Sequence, residues 1–190
     1  MRLKILLENE LECDKIIVED GVSIKDKIFQ LLKKGMSIVA IAAALSLPLL
    51  QVQQVVAGNQ EITQSVSIHQ DKLVDFVAKV LYNEAGQQSI EGKQALASVI
   101  MNRAKQDPAQ IKQVLLKPKQ FSCLNQSKKL QPGVGKNWEQ CKELAQSMVS
   151  GKFEPTVDAT HYFNPTLCSP KWAENQPYLD IGSHRFLTLK

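Results

Sequence analysis

The sequence predicts a mainly α protein, with a small helical accessory domain ahead of a larger helical one, and three observations carry that prediction. Apolar residues recur every three or four positions through most of the chain. Capping and stopping residues bracket those runs, as in Ser23 with Gly35 and Asp107-Pro108 with Pro118. A polar stretch from Gly58 to Asp71 then interrupts the period, which places an accessory domain at 1–60, a linker at 61–72 and a second domain at 73–190. A length of 190 residues is compatible with two small domains.

Composition narrows the classes further. The chain is 44% hydrophobic and 22% charged, with eight Pro and nine Gly, which excludes collagen-like, low-complexity and disordered chains. The net charge of +4 is unevenly distributed. Residues 1–64 hold seven basic against eight acidic side chains, and the remainder sixteen against eleven, so the C-terminal part suits an anionic partner. Cys13, Cys123, Cys141 and Cys168 form neither a CxxC pair nor a metal-finger spacing and are expected to be reduced packing residues. The first thirty residues alternate charge and hydrophobe, unlike a secretory signal peptide. The uncharged run Met36 to Leu50 contains Ser37, Ser46 and Pro48 and falls short of the roughly 20 residues a bilayer span needs, so no stable membrane insertion is expected.

Element by element, residues 3–7 and 15–18 look like two short strands closed by Asp20-Gly21. Ser23 caps a helix to Lys34, stopped by Gly35. Ile41, Ala42, Leu45, Leu47, Val52 and Val55 then follow the spacing of a helix-turn-helix. A DNA reader needs Lys or Arg for phosphate contacts, yet no charge occurs between Gly35 and Asn59, so no nucleic-acid partner is expected and a wall-binding accessory module fits better. The next helix starts at His69 or Asp71 and runs to about Gly86, with Leu73, Val77, Val80 and Leu81 on one face. Ser89 caps another, striped by Leu96, Val99, Ile100 and Arg103. Asp107-Pro108 opens a third, ending at Lys117-Pro118. Asn137 opens a fourth, through Trp138, Cys141, Leu144, Ala145 and Met148 to Gly151. The last forty residues lack a helical period and are expected to form irregular segments or a short hairpin.

Extending the stripe Leu73, Val77, Val80 by one step reaches Glu84, a carboxylate on an apolar face in the last turn of its helix. Burial and the negative end of the helix dipole both disfavour its charged form. A carboxylic acid that holds its proton near neutral pH is what cleavage of a glycosidic bond requires.

Leu81-Tyr-Asn-Glu-Ala-Gly, Ile90-Glu-Gly-Lys-Gln-Ala-Leu-Ala-Ser-Val-Ile-Met-Asn-Arg, Gln120-Phe-Ser-Cys, His161-Tyr-Phe-Asn-Pro, Lys171-Trp and Ile181-Gly-Ser-His-Arg-Phe together resemble the SleB-type cell wall hydrolase family, the catalytic domains of spore cortex-lytic enzymes and some phage endolysins. The resemblance covers roughly 73–188 and keeps motif order and spacing. It implies a lysozyme-like, lytic-transglycosylase-like fold, a peptidoglycan glycan substrate cut between MurNAc and GlcNAc, and Glu84 as the catalytic acid. The pattern departs at Ala85-Gly86-Gln87-Gln88, where the family usually continues with Arg-Gly-Glu, so a basic and an acidic neighbour are missing.

A second carboxylate, which ordinary glycoside hydrolysis would need, has Glu91, Asp158 and Asp180 as candidates. Lytic transglycosylation, implied by the resemblance, needs none. Tyr162 and Asn164 are candidates to bond an N-acetyl group or orient the acid, Ser122 and His184 to bond the sugar, and Phe121, Trp172 and Phe186 to stack on it. His161 and His184 lack an HExxH or helical pair spacing, so neither a metal nor any other cofactor is expected. The expected protein is a monomer made in a host cytoplasm, acting on the bacterial wall as a phage endolysin released through a holin. Competing readings are a non-catalytic wall-binding or virion structural protein, a DNA-associated regulator, and a peptidase pairing Cys123 or Cys168 with His161 or His184.

Overall fold

A computed structural model of the chain describes residues 22–34, 36–58, 60–125 and 130–189. The two strands expected at 3–7 and 15–18, Cys13 and the stop residue Gly35 lie outside the described residues. The chain divides into two compact units, residues 1–67 and 68–190.

Among the described residues, the first unit contains three short helices ahead of residue 60. Ser23 caps α1 (Ile24–Lys33) by accepting from the Asp26 amide, and Ser37 caps α2 (Ile38–Ala44) through Ala40. Pro48 precedes α3 (Leu49–Ala57). Ile24, Ile28, Ile41, Ala42, Val52 and Val56 are buried together, with Leu45, Leu47 and Val55 half-buried around them.

Helix α4 runs Gln60–Ala85. It therefore passes through the segment expected to be an irregular linker, and the expected start at His69 or Asp71 is a correction. The polar residues there lack an apolar stripe, but no Gly or Pro interrupts 60–85, and a helix propagates cheaply through residues that carry no breaker.

Within the second unit the central element is α5 (Ile90–Arg103), capped by Ser89. Every residue from Ala95 to Met101 is buried, so this helix is covered on all sides. It packs against α6 (Ile111–Leu116), α8 (Gly135–Val149) and the sheet, and shares a core with α4 through Val77, Val80, Leu81, Leu96 and Ile100. Asp107 caps a 3-10 turn at Pro108–Gln110 that leads into α6. A short helix absent from the sequence reading, α7 (Ser122–Asn125), follows Phe121.

The C-terminal residues form more than irregular segments or one hairpin. Strands β1 (His161–Phe163), β2 (Tyr178–Ile181) and β3 (His184–Leu187) make an antiparallel sheet in the order β1-β3-β2. Strands of three and four residues are too short to display a period of two, which is why the sequence hid them. The mainly α class is as expected. Among the described residues no helix is long and apolar enough to cross a membrane, and Cys123, Cys141 and Cys168 are free thiols. Cys141 packs in the core as expected, whereas Cys168 is exposed, its thiol donating to the Asn164 carbonyl at 3.8 Å.

One core position is charged. Lys93 on α5 is 1% exposed, and its ammonium donates to Asn137 Oδ1 and Gln140 Oε1 on α8, both at 2.9 Å. Replacing it by Ala removes buried methylenes and strands two acceptors. Lys93→Ala should lower unfolding free energy by about 3 kcal/mol in denaturant titration, with Lys93→Met losing less because it keeps the volume.

Candidate active site

Glu84 stands one residue before the end of α4, half-buried, one turn beyond the fully buried Val80 and Leu81. Its carboxylate takes three hydrogen bonds from two distant segments. Oε1 accepts from Ser122 Oγ at 2.9 Å and from the Cys123 backbone N–H at 2.7 Å, both in α7. Oε2 accepts from the Tyr162 hydroxyl at 2.8 Å, from β1. The apolar face delivers the side chain, but the carboxylate itself meets donors rather than hydrocarbon.

Each donor has its own support. The Tyr162 ring stacks on Phe186 at 6.1 Å, lies 6.4 Å from Phe121 and meets the edge of His184 at 5.5 Å. The segment leading into β1 is held by α5: Asn102 Nδ2 donates to the carbonyls of Val157 and Ala159, and Arg103 Nε to that of Thr160. The Arg103 guanidinium also lies 5.6 Å from the centre of the Phe121 ring. The sequence reading placed Arg103 only on a helical stripe and gave Asn102 no role. The signal was two adjacent polar residues closing an otherwise apolar helix.

The electrostatics follow from burial and from the carboxylate. Burial, then the charge of Glu84, push the Tyr162 hydroxyl well above its ordinary value, so it keeps its proton at any working pH. The same two causes push the Cys123 thiol far up. Burial lowers His184, with Glu84 acting in the opposite sense, and burial followed by the Arg103 charge lowers His161.

Several expected sugar contacts are corrected. Phe121 and Phe186 are each 1% exposed and pack around Tyr162, so neither presents a face to a ligand. Trp172 is half-exposed, but it packs on His161 and Phe163, which alternate with Tyr162 along β1 and so face the other side of the sheet. Ser122 is spent on Glu84. The Asn164 side-chain oxygen accepts from the amide and hydroxyl of Thr166, making a local turn. Ser122, Tyr162 and His184 are the expected residues that the fold gathers at Glu84.

Two of the three candidate second carboxylates are engaged elsewhere. Asp180 forms a two-point pair with Arg185, its register partner, on the strand face opposite Leu179 and Phe186. Glu91 is fully exposed at the start of α5, where a hydrogen bond with Ser89 lowers its pKa. Asp158 is exposed, and its backbone carbonyl accepts from Thr188. Among the described residues no group of three His, Cys, Asp or Glu side chains could hold a metal ion. In the turn after Glu84, Gly86 packs against the backbone and ring of Tyr82, and Gln88 bonds Ser183.

A helical unit with a half-buried glutamate held by a tyrosine and a backbone amide defines an acid–base site. The chain belongs to the cell wall hydrolase family, whose profile matches residues 87–187. Glu84 lies just before that span. The chain is 28% identical over 117 residues to the spore cortex-lytic enzyme of Bacillus subtilis, covering 60% of this chain and 36% of that protein, and equally identical to that of Oceanobacillus iheyensis, covering 40% of it. It thus spans well under half the length of these curated relatives. Among solved structures it is similar to the catalytic domain of the germination-specific lytic transglycosylase SleB from Bacillus anthracis, at 26% identity over 60% of this chain and 93% of that one, with a TM-score of 0.47.

The two histidines set a stability dependence. Both have native pKa values below the ordinary 6.5, so their contribution is complete above that value and is lost as pH falls towards the native ones, where the unfolded chain takes up protons that the fold resists. The thermal midpoint should fall between about pH 7 and about pH 5, and the double variant His161→Asn, His184→Asn should show a flatter profile. Equal slopes for the two proteins would contradict the assignment.

Proposed function

We propose that the second unit cleaves the MurNAc-GlcNAc bond of peptidoglycan by lytic transglycosylation, with Glu84 as its single acid and base. The observation that carries this reading is the trio of donors that orients one glutamate. Oε1 is committed to a backbone N–H, which can only donate, so Oε2 is the oxygen that carries the proton. When it does, the Tyr162 hydroxyl turns to accept; once the proton leaves, the hydroxyl turns back to donate to the carboxylate.

The reaction balances without water. Oε2–H passes its proton to the glycosidic oxygen as the bond from C1 to that oxygen breaks. The Glu84 carboxylate then takes the proton of the muramic acid C6 hydroxyl while that oxygen bonds to C1. The products are a chain with a free hydroxyl and a 1,6-anhydro end, and Glu84 is protonated again. His184, whose pKa burial lowers beside Tyr162, is the proposed partner of a sugar hydroxyl.

A peptidase that uses Cys123 is disfavoured by the same geometry, since burial and Glu84 both oppose a thiolate there. Residues 1–60 are proposed as an accessory module for the wall. Host lysis as an endolysin is a narrower proposal, tested by lysis of cells that co-express the protein with a holin.

Glu84→Gln should lower cleavage of purified sacculi by roughly 10²- to 10⁴-fold while retaining binding, and Tyr162→Phe on the order of tenfold. Mass spectrometry of the wild-type digest should show muropeptides one water lighter than reducing ones. Reducing ends would instead mean hydrolysis, and an inert wild type that still binds would support a structural role. Cys123→Ala should retain most of the activity, because the backbone N–H to Glu84 stays when the thiol's own contact with the carboxylate is lost.

A further inference from the structure

We propose that Gln88 is a positioning residue for this site, holding the tip of the β2–β3 hairpin so that Tyr162 stays aligned with Glu84; this rests on the reading of Glu84 given above. Gln88 lies in the tight turn between α4 and α5, where its amide N–H donates to the Ala85 carbonyl at 2.9 Å. Its carboxamide is spent on one residue at both ends. Oε1 accepts from the Ser183 N–H at 3.1 Å, and Nε2 donates to Ser183 Oγ at 2.8 Å.

Two glycines make room for that side chain. Gly182, at φ +60°, faces it from the hairpin, and a Cβ there would lie 2.3 Å from Gln88 Oε1. Gly92 faces it from α5, and a Cβ there would lie 2.8 Å from Gln88 Cβ. The glutamine thus fills a slot that any other residue at either position would narrow.

The tie closes a loop of contacts. Ser183 precedes His184, whose ring meets the edge of Tyr162, and Phe186 on the same strand both pairs with Tyr162 in register and stacks on its ring. Tyr162 holds Glu84 Oε2, and Glu84 is one turn before Gln88. Carboxylate and hydroxyl are therefore linked twice, once directly and once through Gln88. Gln88 touches neither the carboxylate nor Tyr162, so its effect is on alignment, and small misplacements of a reacting group are costly in rate.

The test uses the full chain with soluble, peptide-free glycan strands as substrate, together with amide hydrogen exchange. Gln88→Ala should lower kcat on the order of tenfold with KM unchanged, and should speed exchange at Ser183 while α5 and α8 keep their protection. Gln88→Glu should restore kcat, because a carboxylate accepts from both the Ser183 N–H and its hydroxyl. Gly182→Ala should mimic Gln88→Ala by filling the slot. Wild-type kcat in Gln88→Ala, a KM effect equal to the kcat effect, or no rescue by Gln88→Glu would overturn the proposal. Should the wild type cleave no glycan, the function proposed above fails, and exchange at Ser183 still decides whether the tie exists.

Discussion

The interaction on which the site depends is the hydrogen bonding of one carboxylate by groups that are distant in sequence. Glu84 ends a helix, the Ser122 hydroxyl and Cys123 amide come from a four-residue helix, and the Tyr162 hydroxyl comes from an edge strand. A carboxylate in that position is oriented from two sides. One oxygen faces a fixed backbone donor and the other a hydroxyl that can reverse direction, which suits a group that must first give up a proton and then take one back.

Helix α5 makes this possible. Buried from Ala95 to Met101, it shares one core with α4 and α8 and another with the sheet. Its polar residues are used as struts: Asn102 and Arg103 hold the approach to β1, Ser98 accepts from the Thr156 amide, and Lys93 bonds α8. The geometry at Glu84 is thus set by side chains that never reach it.

Much of this was legible in the sequence because helices announce themselves. Ser23, Ser89 and Asp107 cap as expected, since a side-chain oxygen before an apolar stripe has few alternatives to the free amides. Glu84 was legible because it broke an apolar face. The polar part of α4 was not legible as helix, since a helix without a buried stripe has no periodic signature. The three strands, and the face on which Trp172 sits, were hidden because pairing across long sequence separations leaves no local pattern. Phe121 and Phe186 were offered to the sugar on residue type alone, and only tertiary packing reveals that they flank Tyr162 instead.

The sheet order adds a temporal consequence. Tyr162 lies on β1, whose partner among the described residues is β3, a strand made after β1 and β2. A nascent chain that already displays the glutamate still lacks the pairing that seats the tyrosine. The order of synthesis thus separates the appearance of the carboxylate from that of its hydroxyl donor, whose seat depends on β3.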